Sequence, residues 1–180
     1  ALIDLAIMDE QNQPVATGVV GEICMRGPNV MLGYRNMVEQ TNKAIIDGWL
    51  HTGDGGYLDD EGFLFIVDRV KDMIISGGEN VYSAEVENAL YQHPAVNQCA
   101  VIGIPHETWG EQVHGIVVLH AGANVTEEAL IAHCKGLIAG FKCPRSVTFR
   151  EDALPLSGAG KILKTELRKP YWADSDRAVN

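Results

Sequence analysis

The rhythm of apolar and polar positions changes near residue 70. Residues 2–8 and 21–27 alternate or run apolar as strands do, and the turn-rich stretch 9–14 between them predicts an antiparallel opening. Residues 36–46 read as a short helix closed by Asp47-Gly48. Tyr57-Leu58 and the apolar run 63–67 flank Asp59-Asp60-Glu61-Gly62 as the two arms of a hairpin. Beyond residue 72 strands alternate with helices. Ser83 is placed to cap a helix running to about Tyr91, with Glu85 and Glu87 early in it, where the helix dipole favours anions. Residues 99–104 and 113–119 are strand-like. Thr126 opens a second helix whose Leu130, Ile131, Cys134, Leu137 and Ile138 share one face, with Gly140 suited to its end. Val147 and Phe149 alternate in a last short strand, and residues 173–180 read as a frayed tail. The pattern as a whole predicts an α+β chain: a short antiparallel β subdomain, then a small α+β domain with a mixed sheet flanked by helices.

Composition narrows the class of partner. The 180 residues are 46% apolar, ample for a core, and the formal net charge of −10 opposes binding to nucleic acid or to an anionic membrane surface. Any phosphate must then be met by a few placed cations. Cys24, Cys99, Cys134 and Cys143 form no CxxC pair and read as reduced thiols of a cytoplasmic protein. The six histidines show no ligand spacing with a carboxylate, so no metal site is expected. No apolar run reaches the roughly 18 residues of a membrane span. The opening Ala1-Leu2-Ile3 enters in mid-strand without a methionine, which suggests a piece of a longer protein.

Between the two regions lies Asp68-Arg69-Val70-Lys71-Asp72, four charged residues around one valine, followed by Met73-Ile74-Ile75-Ser76-Gly77-Gly78. Neither neighbouring core suits those charges, so the segment reads as a solvated crossover or hinge; an ordinary inter-strand loop would use the same residues. Two further stretches stand out. His51-Thr52-Gly53-Asp54-Gly55 precedes the crossover, and Leu154-Pro155-Leu156-Ser157-Gly158-Ala159-Gly160-Lys161-Ile162-Leu163-Lys164 follows near the end of the chain. The latter is not a Walker loop, which needs glycine where Pro155 stands, nor a dinucleotide fingerprint, which needs glycine where Leu163 stands.

In this order and at these distances the three stretches resemble the carboxy-terminal motifs of the adenylate-forming superfamily: acyl-CoA synthetases, carrier-loading adenylation domains and beetle luciferases. The resemblance runs from about Gly21 to Arg168. It implies that Asp54 holds the ribose of an adenylate, a task suited to a carboxylate that accepts from two hydroxyls, although Asp beside Gly is also a common Asx-turn residue. It implies that Arg69 contacts the nucleotide, where a surface ion pair with Asp68 or Asp72 is the plainer alternative, and that Lys71 is the hinge position. Many members have glycine where this chain has Asp68. Lys161 is the implied catalytic residue: carboxylate attack on the α-phosphate of ATP joins two anions, and a cation touching both lowers the barrier. Gly77 and Gly78 match the glycines that line the pantetheine tunnel. Phe141 and Arg145 match a segment that meets the CoA nucleotide, with Cys143 where some relatives carry a basic residue.

The domain expectation follows: residues 1–67 as the last β subdomain piece of a large adenylate-binding domain, 68–72 as hinge, 73–172 as the small, mobile carboxy-terminal lid domain and 173–180 as tail. The implied activity is that of an AMP-forming acid:CoA ligase using ATP with Mg²⁺ and coenzyme A, acting with a large amino-terminal domain and switching half-reactions by domain rotation; the 180 residues alone are expected to be inactive. An adenylation domain that loads a carrier protein, and a non-catalytic lid module, remain as alternatives. The acyl substrate, whether fatty, aryl or dicarboxylic, is not legible, and neither is the oligomeric state.

Overall fold

The computed structural model describes residues 2–173, and the chain divides into two compact units between Lys71 and Asp72. Of the expected tail only Ala173 lies among the described residues.

The first unit is an antiparallel sheet. Strands β1 (Asp4–Met8), β2 (Gly21–Arg26), β4 (Trp49–Leu58) and β3 (Ile45–Ile46) lie side by side in that order, and β5 (Leu64–Arg69) also pairs with β4. The helix expected over 36–46 is shorter, α1 (Val38–Ala44): Asn36 turns left-handed before it, at φ 59°, and Ile45–Ile46 leave it to pair with Leu50 and Trp49. Two consecutive β-branched residues favour a pleated partner over another helical turn. The run 63–67 is not a core strand. Phe63, Leu64, Phe65 and Ile66 are 37–68% exposed, because β4 covers one edge of β5 and nothing among the described residues covers its face. The buried apolar residues of this unit are Ile7, Met8, Ile23 and Cys24, a small core for about 70 residues.

The second unit is a mixed sheet with helices on both faces, as the apolar pattern predicts. Strand β9 (Gly110–Leu119) is central: β8 (Val96–His106) runs antiparallel along one edge, and β10 (Ser146–Arg150) runs parallel along the other. A small hairpin of β6 (Ile74–Ser76) and β7 (Glu79–Val81) joins β9 through Ser76 and Gly110. Alternation along β8 sorts the two cores. Cys99 and Val101 face α2 (Ser83–Tyr91) and α3 (Glu127–Lys135), meeting Val86, Leu90, Leu130 and Cys134; Ala100 and Ile102 face the other way, with Ile116, Leu154 and Leu167 of α4 (Lys164–Trp172). Both faces are apolar because both are covered.

Several local expectations shift. Ser83 is the first residue of α2 and not its cap, which is Tyr82. Thr126 does cap α3, accepting from Ala129 N, but the helix ends at Lys135, and Leu137 and Ile138 lie beyond it. Helix α4 has no counterpart in the apolar pattern. All four cysteines are buried and free; burial pushes the Cys24 and Cys134 thiols up to about 11 and that of Cys99 to about 12, so none is a ready thiolate.

Buried His114 ties three elements of this unit together. Its Nδ1 lies 2.7 Å from Ser146 Oγ on β10 and its Nε2 3.0 Å from Tyr171 OH on α4. Burial lowers its affinity for a proton. The unfolded chain therefore takes up the proton first, and stability falls as pH drops through the ordinary imidazole value of about 6.5 towards the lower folded value. His114→Gln is expected to show a flatter dependence than wild type below that pH, read as urea midpoints at pH 5, 6 and 7.5.

Candidate functional site

Asp54 and Arg69 form a pair. They are register partners across β4 and β5, and Arg69 Nε donates to Asp54 Oδ1 at 3.2 Å with both side chains well exposed. The plainer alternative, a pair of Arg69 with Asp68 or Asp72, is not what the chain adopts: Asp68 Oδ1 accepts from the Arg69 backbone N–H, and Asp72 is paired elsewhere. An exposed carboxylate beside an exposed guanidinium presents an acceptor and a fork of donors to one ligand, and so exposed a pair adds little stability.

The corner that holds Asp54 is braced by a residue that no sequence motif marks. Glu22 on β2 accepts Gly53 N–H with Oε1 at 2.8 Å and meets His51 Nδ1 with Oε2 at 2.7 Å. Thr52 Oγ1 donates to Ile23 O and accepts from Asp54 N, so the loop's backbone groups are tied to β2. Cys24 Sγ, 3.5 Å from His51 Nδ1, completes a cluster of three metal-capable side chains. Sequence spacing shows no such grouping, because β2 and β4 bring together residues 27 to 29 apart. The cluster's polar atoms satisfy one another, and its visible task is to hold the corner. Glu22→Ala leaves Gly53 N–H and His51 without their acceptor and is expected to cost about 1–3 kcal/mol, seen as a lower urea midpoint.

The charged crossover is only half as solvated as its composition predicts. Val70–Asp72 form a single 3₁₀ turn. Lys71 is exposed, but Asp72 is drawn into the second unit, where it meets Arg168 of α4 at 3.2 Å with side chains 13% and 8% exposed.

Gly77 and Gly78 are the central residues of the β6–β7 hairpin, with φ of 64° and 86°. Positive φ at both positions is the geometry of a type I′ turn, so glycine is required by the turn itself. Gly77 N donates to Trp109 O at 3.0 Å, and a Cβ on Gly77 would stand 3.4 Å from the indole, while one on Gly78 would meet nothing. Trp109 is a second residue outside every motif. His106 stacks on it at 4.1 Å and the Arg145 guanidinium lies 3.8 Å from its ring centre. These side chains line a cleft of about 460 Å³ with Lys135, Gly140 and Cys143. Phe141, 44% exposed, adjoins this lining in sequence, and Lys142 beside it pairs with Glu85 at 2.7 Å.

Lys161 stands on a closed turn. Leu156 and Ile162 bridge its base, Ser157 N donates to Lys161 O at 2.7 Å, Gly160 N to Ser157 O at 2.9 Å, and Lys161 N to Ser157 Oγ at 3.1 Å. Glycine content suggests a mobile loop; the backbone bonding makes a shaped one. The Lys161 side chain is exposed and its ammonium has no partner among the described residues.

Comparison with known proteins gives this geometry a context. The AMP-binding enzyme C-terminal domain family matches residues 85–161. Feruloyl-CoA synthase of an Amycolatopsis species is 47% identical over 168 residues, covering 93% of this chain and 34% of that protein. A fatty acid–[acyl-carrier-protein] ligase of Streptomyces coeruleorubidus is 42% identical over 174 residues, covering 97% of this chain and 33% of its own length. Among solved structures, o-succinylbenzoate CoA synthetase of Bacillus subtilis, in complex with its acyl-adenylate intermediate, superposes with a TM-score of 0.85 at 40% identity, covering 92% of this chain and 34% of that one. The chain thus spans about a third of the length of the curated relatives it matches. Resemblance in three motifs, a superposable fold and a family match in the second unit agree: residues 85–161 match the AMP-binding enzyme C-terminal domain family, and the chain as a whole is similar to about a third of the length of adenylate-forming enzymes.

Proposed function

We propose that this chain is part of an AMP-forming acid:CoA ligase, which activates a carboxylic acid with ATP to an acyl-adenylate and then transfers the acyl group to the thiol of coenzyme A. The observation that carries the reading is the Asp54–Arg69 pair, an exposed acceptor and donor side by side on adjacent strands. In this reading Asp54 accepts from the ribose hydroxyls and Arg69 donates to ribose or phosphate oxygens. Lys161 supplies the cation for the first half-reaction: with no ion-pair partner among the described residues, it gives up no such pair to meet the carboxylate and the α-phosphate. ATP enters with Mg²⁺, and none of Asp54, Arg69 or Lys161 is assigned to the metal. Rotation about residues 68–72, with Lys71 as the pivot, exchanges Lys161 for the Gly77–Gly78 turn, beside which the pantetheine arm passes. Because the Lys161 turn is closed by its own hydrogen bonds, the displacement belongs to the domain and not to the loop.

The cleft favours free CoA over a carrier-bound pantetheine as acceptor. Phe141 stands exposed nearby and offers a ring face to adenine, Arg145 and Lys135 offer charge to phosphates, and Trp109, already covered by His106 and the Arg145 guanidinium, forms the wall between them. A carrier protein's pantetheine has no adenine nucleotide to fill such a place. The carrier-loading alternative keeps one support, the 42% identity to a carrier-protein ligase.

The deciding experiment uses the protein extended to the length of its relatives. ATP–pyrophosphate exchange is measured with fatty, aryl and dicarboxylic acids, followed by equilibrium binding of CoA and of a phosphopantetheinylated carrier. Exchange with one acid class together with binding of CoA supports the ligase; exchange with preference for the carrier supports the alternative. No exchange with any acid removes both.

A further inference from the structure

Two lysines stand three residues apart in Gly160-Lys161-Ile162-Leu163-Lys164, and the sequence reading assigns a role only to Lys161. The structure separates them. Lys164 Nζ lies 2.6 Å from Ser83 Oγ and 2.8 Å from Glu87 Oε1 on α2, with side chains of the ion pair 13% and 18% exposed. The same Glu87 oxygen accepts Val101 N–H from β8 at 2.8 Å. Lys164 cannot swing out to a phosphate without withdrawing its charge from Glu87, a mostly buried carboxylate, which is unfavourable. One helical turn further along α4, Arg168 is bonded to Asp72, the last residue of the crossover and the first of the second unit.

The geometry points to Lys164 and Arg168 as positioning residues for Lys161, with α4 acting as a rigid link from the end of the crossover to the catalytic turn. Lys164 is the first residue of α4, directly after the turn. Its ion pair fixes the outgoing leg, while the incoming leg is fixed by buried Leu154, whose N–H donates to Gln98 Oε1 on β8 at 3.0 Å, and by Leu163 N, which donates to Pro155 O at 2.8 Å. Both legs of the turn are therefore held to the body of the second unit, and Arg168 holds the same helix to Asp72. A rotation delivered at residue 72 reaches Lys161 without slack. Placement matters because a cation must touch two oxygens at once, and a displacement of about 1 Å is worth about 10²-fold in rate. This inference rests on the ligase reading for its activity arm only.

The test pairs Lys164→Met with Glu87→Gln, removing both charges together so that neither is orphaned, and leaving an amide oxygen for Val101 N–H. Two readouts are taken. On the 180-residue chain, amide hydrogen exchange over residues 157–163 is expected to accelerate tenfold or more while the urea midpoint stays near that of wild type. In the extended protein, adenylation kcat is expected to fall 10- to 100-fold with the KM values for ATP and acid little changed, and thioester formation from preformed acyl-adenylate is expected to persist. Unchanged exchange protection at 157–163 with unchanged adenylation overturns the proposal. So does an equal loss in both half-reactions, which marks a merely structural pair. If the double variant does not fold, Lys164→Arg and Ser83→Ala are expected to give the same split at smaller amplitude, and wild-type adenylation in both overturns it as well. If wild type adenylates no acid, the ligase reading fails on that result, and amide exchange alone still decides whether Lys164 holds the turn.

Discussion

Lys161→Ala in the extended protein is expected to lower ATP–pyrophosphate exchange about 10²–10³-fold, the range seen when one charge-stabilising donor is removed from a transition state, or about 2.7–4 kcal/mol. Thioester formation from preformed acyl-adenylate is expected to continue, since in the proposed ligase Lys161 serves only the step in which two anions are joined. Stability is expected to be unchanged: the side chain is exposed and unpaired among the described residues, and the turn is held by its backbone and by Ser157 Oγ, which the substitution leaves in place. The measurement is a side-by-side rate for the two half-reactions. Equal exchange in variant and wild type would sink the catalytic assignment and leave Lys161 as a surface lysine of a well-formed turn.

Arg168→Met is expected to destabilise the second unit strongly, by about 3–5 kcal/mol, because it removes one partner of a buried pair and leaves Asp72 charged in a site 13% exposed. A neighbouring carboxylate deepens the effect. Glu111, which accepts Ile75 N–H through Oε2, already has its proton affinity raised by burial and is helped towards its charged form by Arg168. Losing the guanidinium thus strands two acids. Asp72→Asn combined with Arg168→Met removes both charges of the pair and is expected to recover most of the loss, as is usual when a buried pair is replaced whole. Urea denaturation of the 180-residue chain reads both; a single variant as stable as wild type would show that the pair is solvent-screened in solution.

The pair also explains why the crossover is only partly legible in the sequence. Four charges in five residues stand between two apolar runs, and the chain divides into its two units within that segment. Composition cannot say which of the four stays in water. Asp68 is engaged by the next residue's backbone, Arg69 by Asp54, and Asp72 by a helix nearly a hundred residues away. That helix is itself invisible in the pattern: four of the nine residues of α4 are charged, it contains Pro170, and it buries a single apolar side chain, Leu167, so no apolar stripe announces it. Its placement is carried by two ion pairs, by Leu167 in the core and by the Tyr171–His114 contact, and those are tertiary facts.

Local sequence determined most strands of both units though not β3, the caps and breaks of α2 and α3 to within a few residues, and the α+β class, because alternation and helical spacing are read from neighbouring residues. It also carried the motifs on which the superfamily resemblance rests. Tertiary structure alone decided which charged side chains are tools and which are fasteners. Lys161 and Lys164 are the same residue type three positions apart, and only the approach of α2 makes one of them a buried partner of Glu87 and leaves the other bare. Glu22 and Trp109 belong to the same category. Each matters through a residue that the sheet brings close and the sequence keeps distant, Gly53 for one and Arg145 for the other, and the energy of such a contact depends on burial and distance, which no linear spacing records.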